Sequence, residues 1–234
     1  MIETLKKAKI VVLISGSGSN LQALINACET GHLNAHIALV ISNRPQARGL
    51  ARAERAGIKT QVIDHQDFIK RADFDKELAR SIADYSPTLV VLAGFMRILS
   101  ADFVDQFASR LLNVHPSLLP KYPGLNTHQR ALDAGDNEAG ATVHFVTTEL
   151  DGGPAIVQAA VPIETHDRVE DIASRVLVVE HKIVPLAARW FIEGRLNLRA
   201  GAAELDGTPL PIQGYVFRSS KTTSHHNSQI PSNV

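Results

Sequence analysis

Asn113 and His115 stand two residues apart in "NVHPSLLP", at the end of an apolar run and immediately before a proline-bounded segment. Alternate side chains of an extended segment project from one face, so the amide and the imidazole are expected to point the same way. Pro116 and Pro120 each remove a backbone donor and fix φ, so regular structure should stop where the polar pair stands. Asp151, in "TTELDGGPAI", precedes two glycines and a proline, a turn able to hold a carboxylate still beside an imidazole. Such a carboxylate favours the imidazolium form and brings His115 toward the working range of a general acid. An ordinary turn aspartate satisfies the same local pattern.

Two further stretches could bind ligands. In "SGSGSN" the glycines let the backbone approach a phosphate, and a following helix offers free N–H groups and a favourable dipole. Ser17, Gly18, Ser19 and Asn20 would be the donors, although a glycine turn that only joins strand to helix reads the same way. A dinucleotide fingerprint would need a third glycine where Leu21 stands, and no Walker lysine follows, so a single phosphate ester is the better match. "LAGFMRILS" joins a buried strand to a helix at the carboxyl edge of a sheet, a rim that can hold a planar heterocycle. Phe95, Met96, Ile98 and Leu99 also suit a core, whereas Arg97 does not. Ten histidines are present without a His-Glu-x-x-His spacing, and no metal site is expected.

These segments must be positioned by an alternation of short β-branched runs with longer helical patterns, the sign of a mostly parallel α/β sheet. "KIVVLI", "HIALVISN", "TQVID" and "TLVVLAGF" read as strands, the last so apolar that it should be central and covered on both faces. "LQALINACETG", "ARGLARAERAG" and "DFDKELARSIADYS" read as the intervening helices, the first two closed by Gly31 and Gly57. "ATVHFVTT" and "GPAIVQAAVPI" read as two more strands that bring an antiparallel portion. The long stretch from Val169 to Gly194, interrupted by Pro185, should close the domain as one kinked helix or two. One domain is expected over 8–215, with 216–234 as a polar, disordered tail.

The chain has 234 residues, 44% of them hydrophobic, 21% charged and with no formal net charge, the composition of an ordinary globular protein. The charge balance gives no basic footprint for nucleic acid or an anionic membrane. Cys28 is alone, which excludes an internal disulfide, and the apolar run Ile10–Ile14 is too short for a leader or a span, so the cytoplasm is the expected compartment.

Taken in order, "ISGSGSN", "LAGFMRIL", "NVHPSLLPKYPGLNTHQRAL", "TVHFVTTELDGGPAI" and Glu180-His181 make the chain resemble the phosphoribosylglycinamide formyltransferases, folate-dependent enzymes of purine synthesis. The resemblance implies a Rossmann-like formyltransferase fold and transfer of formyl from 10-formyltetrahydrofolate, a co-substrate, with no metal. It implies Asn113, His115 and Asp151 as the catalytic set and Ser17, Gly18, Ser19, Asn20 and Glu180 at the ribonucleotide. It implies Arg71, Met96, Arg97, Ile98, Leu99 and Asn113 at the folate. Leu177 departs from the polar residue expected of the family, and Ser17 stands where Asn is common. Small-molecule partners and a monomer or homodimer are expected. The alternative within the group is 10-formyltetrahydrofolate hydrolase. Methionyl-tRNA formyltransferase would need a further basic domain, and a nicotinamide oxidoreductase an acid after the second strand, where "VISNRP" has none.

Overall fold

A computed structural model describes residues 7–218. Strand β1 (Ala8–Ile14) is apolar from Ile10 onward because that part is covered on both sides. Ile10, Val12 and Ile14 belong to one core cluster, and Val11 and Leu13 to another. That period of two is what a strand between two helical layers requires. Strands β2 (Ala35–Ser42), β3 (Thr60–Val62), β4 (Leu89–Leu92) and β5 (Leu111–His115) extend the parallel sheet around it. β6 (Glu138–Phe145) runs antiparallel between β5 and β7 (Ala155–Pro162), and β11 (Tyr215–Phe217) pairs in parallel with β7 at one edge. The order is β11-β7-β6-β5-β4-β1-β2-β3.

Helices α1 (Ser19–Glu29), α2 (Arg48–Arg55), α5 (Thr127–Asp133) and α6 (Val169–Ile192) contribute to the first cluster. Helices α3 (Arg71–Ala83) and α4 (Ala101–Gln106) fill the second with Phe74, Leu78, Ile82 and Phe103. The fold is therefore α/β, with a mostly parallel sheet, an antiparallel portion and helices on both faces.

The long C-terminal stretch, expected as one kinked helix or two, is a single α6 of 24 residues with Pro185 inside it. Its apolar face, including Ile172, Val176, Ile183 and Ala187, is wholly buried, and that packing outweighs the bond lost at the proline. β4 ends at Leu92, so Ala93–Phe95 already belong to the following loop. Residues 216 and 217, assigned to the tail, lie in β11, where Trp190 of α6 stacks edge-on against Tyr215 at 5.3 Å. Residues 219–234 lie outside the described residues. A second sheet of β8 (Leu196–Arg199), β9 (Ala202–Leu205) and β10 (Thr208–Pro209) was not foreseen, and it packs on the first core cluster through Leu196 and Ala203.

Leu13, Leu92 and Asn113 lie abreast on neighbouring strands, so the loops that follow β1, β4 and β5 leave from one edge. The connections diverge between β1 and β4, the crevice where open α/β sheets take ligands. The glycine loop is held there by α2. Gly18 has φ +69°, and a Cβ on it would lie 2.5 Å from the Cα of Gly49. The Gly49 N–H donates to the Gly16 carbonyl, and Arg52 Nε donates to that of Ser17 at 2.8 Å. Gly18→Ala combines a left-handed cost with an overpacking cost, together about 2–4 kcal/mol. Its Tm, read by scanning calorimetry, should fall by several degrees; an unchanged Tm would mean that the two backbones separate freely.

Candidate active site

Asn113 and His115 end β5 on the same face, as the alternation requires. Directly opposite on β6 are His144 and Thr142. The chain after β6 doubles back over this face. Gly153 permits the reversal, since a Cβ there would run into the Phe145 carbonyl oxygen. Asp151 sits at the tip in a left-handed conformation with φ +52°.

The carboxylate of Asp151 gathers the site. Its Oδ2 lies 3.4 Å from His115 Nδ1 and accepts the Gly124 N–H at 2.8 Å, while its Oδ1 accepts from Asn113 Nδ2 at 3.5 Å. The aspartate and His115 side chains are 9% and 6% exposed, so this contact is nearly dry, and the Gly124 N–H gives it backbone support. His115 Nε2 lies 2.9 Å from the Tyr122 carbonyl. A carbonyl only accepts, so Nε2 carries a proton.

His144 is a site residue that the sequence reading missed. Its Nδ1 donates to the Phe145 carbonyl at 2.9 Å, which leaves Nε2 to accept from Asn113 Nδ2 at 3.0 Å. This pair of bonds sets which way the Asn113 amide faces. The available signal was the period of two in "ATVHFVTT", which puts Thr142 and His144 on one face; the opposing register was not readable locally.

At the glycine loop, α1 begins with Gly18 as N-cap and no side-chain cap bond, so its first N–H groups are left for a ligand. Ser17, Gly18 and Ser19 line this turn. Asn20 and Glu180 meet: Nδ2 of the amide donates to Oε2 at 2.6 Å, both groups being buried. Burial pushes the Glu180 carboxyl above its ordinary value, and the Asn20 bond opposes this. Leu177, one turn earlier on α6, is partly exposed.

The segment after β4 is tied to the same loop. Ser15 Oγ accepts the Met96 N–H at 2.7 Å and donates to Asn43 Oδ1 at 2.6 Å. Met96 and Ile98 reach solvent, whereas Leu99 packs on the second core cluster and the Arg97 guanidinium lies 6.0 Å from the Phe74 ring centre. Arg71 is the exposed first residue of α3, one helical turn before Phe74. Among the described residues no group of three His, Cys, Asp or Glu could hold a metal ion, and no helix is long and apolar enough to cross a membrane.

The three-stranded edge, its glycine turn and the Asn–His–Asp cluster define one class of protein. The family model described as Formyl transferase matches residues 8–188, and the chain belongs to that family. Phosphoribosylglycinamide formyltransferase of Escherichia coli K12 is 56% identical over 206 residues, covering 88% of this chain and 97% of that protein. The Haemophilus influenzae protein of the same name is 49% identical over 207 residues, covering 88% and 98%. Among solved structures, the Coxiella burnetii phosphoribosylglycinamide formyltransferase in complex with CHES matches with a TM-score of 0.87 and 50% identity, covering 91% of this chain and 100% of that one.

Burial drives the His144 imidazole down to about 4 against the pull of the Phe145 carbonyl and the Asp151 charge, with His115 adding to the fall. The unfolded chain takes a proton on this residue near its ordinary 6.5, which the native state refuses until about 4. Stability is therefore lost as pH falls through that window. His144→Gln should flatten this part of the Tm-against-pH curve relative to the native chain. Parallel curves would show that His144 is not held neutral.

Proposed function

We propose that this protein transfers the formyl group of 10-formyltetrahydrofolate to the glycinamide amine of 5-phosphoribosylglycinamide, giving the formylated ribonucleotide and tetrahydrofolate. The observation that carries the reading is the convergence of Asn113, His115 and Asp151 in one nearly dry cluster at the carboxyl end of β5. The family supplies formyl transfer, and the names of the full-length relatives supply the acceptor.

In this reading the substrate amine attacks the formyl carbon, and the negative charge that develops on the formyl oxygen is met by the Asn113 amide and the protonated His115. Both donors end a strand, and their N–H groups now face His144, Asp151 and the Tyr122 carbonyl, so the formyl oxygen takes the place of one of these acceptors for each donor as charge appears. Asp151 keeps His115 charged and, through water, helps carry a proton from the attacking amine to the departing folate nitrogen. The N–H groups of Gly18, Ser19 and Asn20 bind the phosphate, with Ser17 in the turn and Glu180 toward the ribose or glycinamide. The pterin lies against Met96, Arg97, Ile98 and Leu99, with Asn113 at its reacting end and Arg71 near the acidic portion of the folate. In this reading the protein acts on two small-molecule substrates in the cytoplasm, as a monomer or homodimer.

The test is spectrophotometric release of tetrahydrofolate from 10-formyltetrahydrofolate, with and without the ribonucleotide. Release should require the ribonucleotide, and Asn113→Ala or His115→Ala should each lower kcat about 10²- to 10³-fold, the cost of one oxyanion donor. Equal release without acceptor would make the protein a hydrolase. Folate binding without release would leave it a binding module.

A further inference from the structure

The segment between β5 and α5 carries a second cluster that the reaction above does not use. Lys121 Nζ donates to both carboxylate oxygens of Asp136 at 2.9 Å, and the Tyr122 hydroxyl donates to Oδ2 at 2.9 Å. Tyr122 is a bulky residue held at φ +56°, a left-handed conformation that costs roughly 1–2 kcal/mol in a non-glycine residue. Such a conformation persists only where its surroundings impose it. The surroundings here are several: Arg130 lies 5.1 Å from the Tyr122 ring centre and donates to the Pro123 carbonyl at 2.6 Å, and Ser117 Oγ donates to the Lys121 carbonyl at 2.6 Å. What the strained backbone achieves is the aim of one group, the Tyr122 carbonyl, at His115 Nε2.

Asp136 is well placed to be the fixed end of this arrangement. Its N–H donates to the Ala131 carbonyl in the turn that ends α5, two residues before β6 enters the sheet. Its carboxyl is 18% exposed, less than the 59% of Lys121. Hydrogen bonding to Lys121 holds the Asp136 carboxyl below its ordinary range, and the same bonds hold the Lys121 ammonium and the Tyr122 phenol above theirs, so the cluster keeps its charges at neutral pH.

We propose that Asp136 is a positioning residue for the His115 imidazole, acting through Tyr122. The ring nitrogens of His115 face two acceptors, the Asp151 carboxylate and the Tyr122 carbonyl, and the second is in place only while Asp136 grips the Tyr122 hydroxyl and the preceding lysine. The other titratable groups around the ring are His144 from β6 and His128 from α5. Neither supplies an acceptor to Nε2, so the carbonyl decides where that proton points.

This inference rests on His115 being the proton-carrying residue of the proposed reaction, and the experiment separates the two. Asp136→Ala should lower kcat by about 10- to 100-fold, the order that an ångström of misplacement costs, with KM for both substrates little changed. The ring ¹⁵N resonances of His115 in the ligand-free protein should shift, since its Nε2 partner is displaced. Asp136→Asn, whose amide oxygen still accepts from Tyr122 and Lys121, should restore most of both. If Asp136→Ala does not fold, the combined Lys121→Ala and Tyr122→Phe variant cuts the same bonds from the exposed side. Native kcat and unmoved His115 resonances would overturn the inference, as would failure of Asp136→Asn to recover them. Native turnover in His115→Ala would instead sink the reaction on which it rests.

Discussion

The structure of the site depends on finding partners for one buried carboxylate. A charge withdrawn from water is costly unless it is paired and hydrogen-bonded. Asp151 meets that demand by drawing together three pieces of chain: the end of β5 through Asn113 and His115, the 116–126 segment through the Gly124 N–H, and its own reversed loop after β6. The end of β5 is held by its register with β6, whereas the two loops lie outside the strands and helices. The carboxylate is both the electrostatic partner of the imidazole and the point at which two loops are fixed to the sheet.

Around that centre, polar residues are tolerated in the interior because each is used by another. Thr142, opposite His115, donates to the Ser117 carbonyl and accepts the Leu119 N–H, while Gln158 on β7 donates to the Leu119 carbonyl. These bonds anchor the start of the proline segment to β6 and β7. The exposed aliphatic residues Met96 and Ile98 follow a different rule: the backbone behind them is fixed by Ser15 while their side chains stay open to a ligand.

Much of this was legible in the sequence because the informative patterns are local. The apolar run around Val90 shows burial on both faces, and the spacing of Asn113 and His115 shows a shared face, whatever the rest of the chain does. Gly18 before α1 was legible for the same reason, since a glycine between strand and helix is a statement about a few bonds. What was missed depends on register and distance. His144 matters because it falls opposite Asn113, and a slip of one residue would send it to the other face. Gly49 reads as an ordinary helical glycine until the glycine loop is packed against it. The small β8–β10 sheet escaped because its strands are only two to four residues long, too short for periodicity to declare itself.

The bond between Asn20 and Glu180 joins positions 160 apart. It belongs to the first helix and the last, so the partner that steadies the glycine turn leaves the ribosome long after the turn itself. Asn113, His115 and Asp151 emerge within a much shorter interval, between those two events. During synthesis the cluster around β5 can thus assemble before Asn20 has its partner, and a nascent chain that stops short of α6 would leave the Asn20 amide at the glycine turn without the carboxylate that holds it.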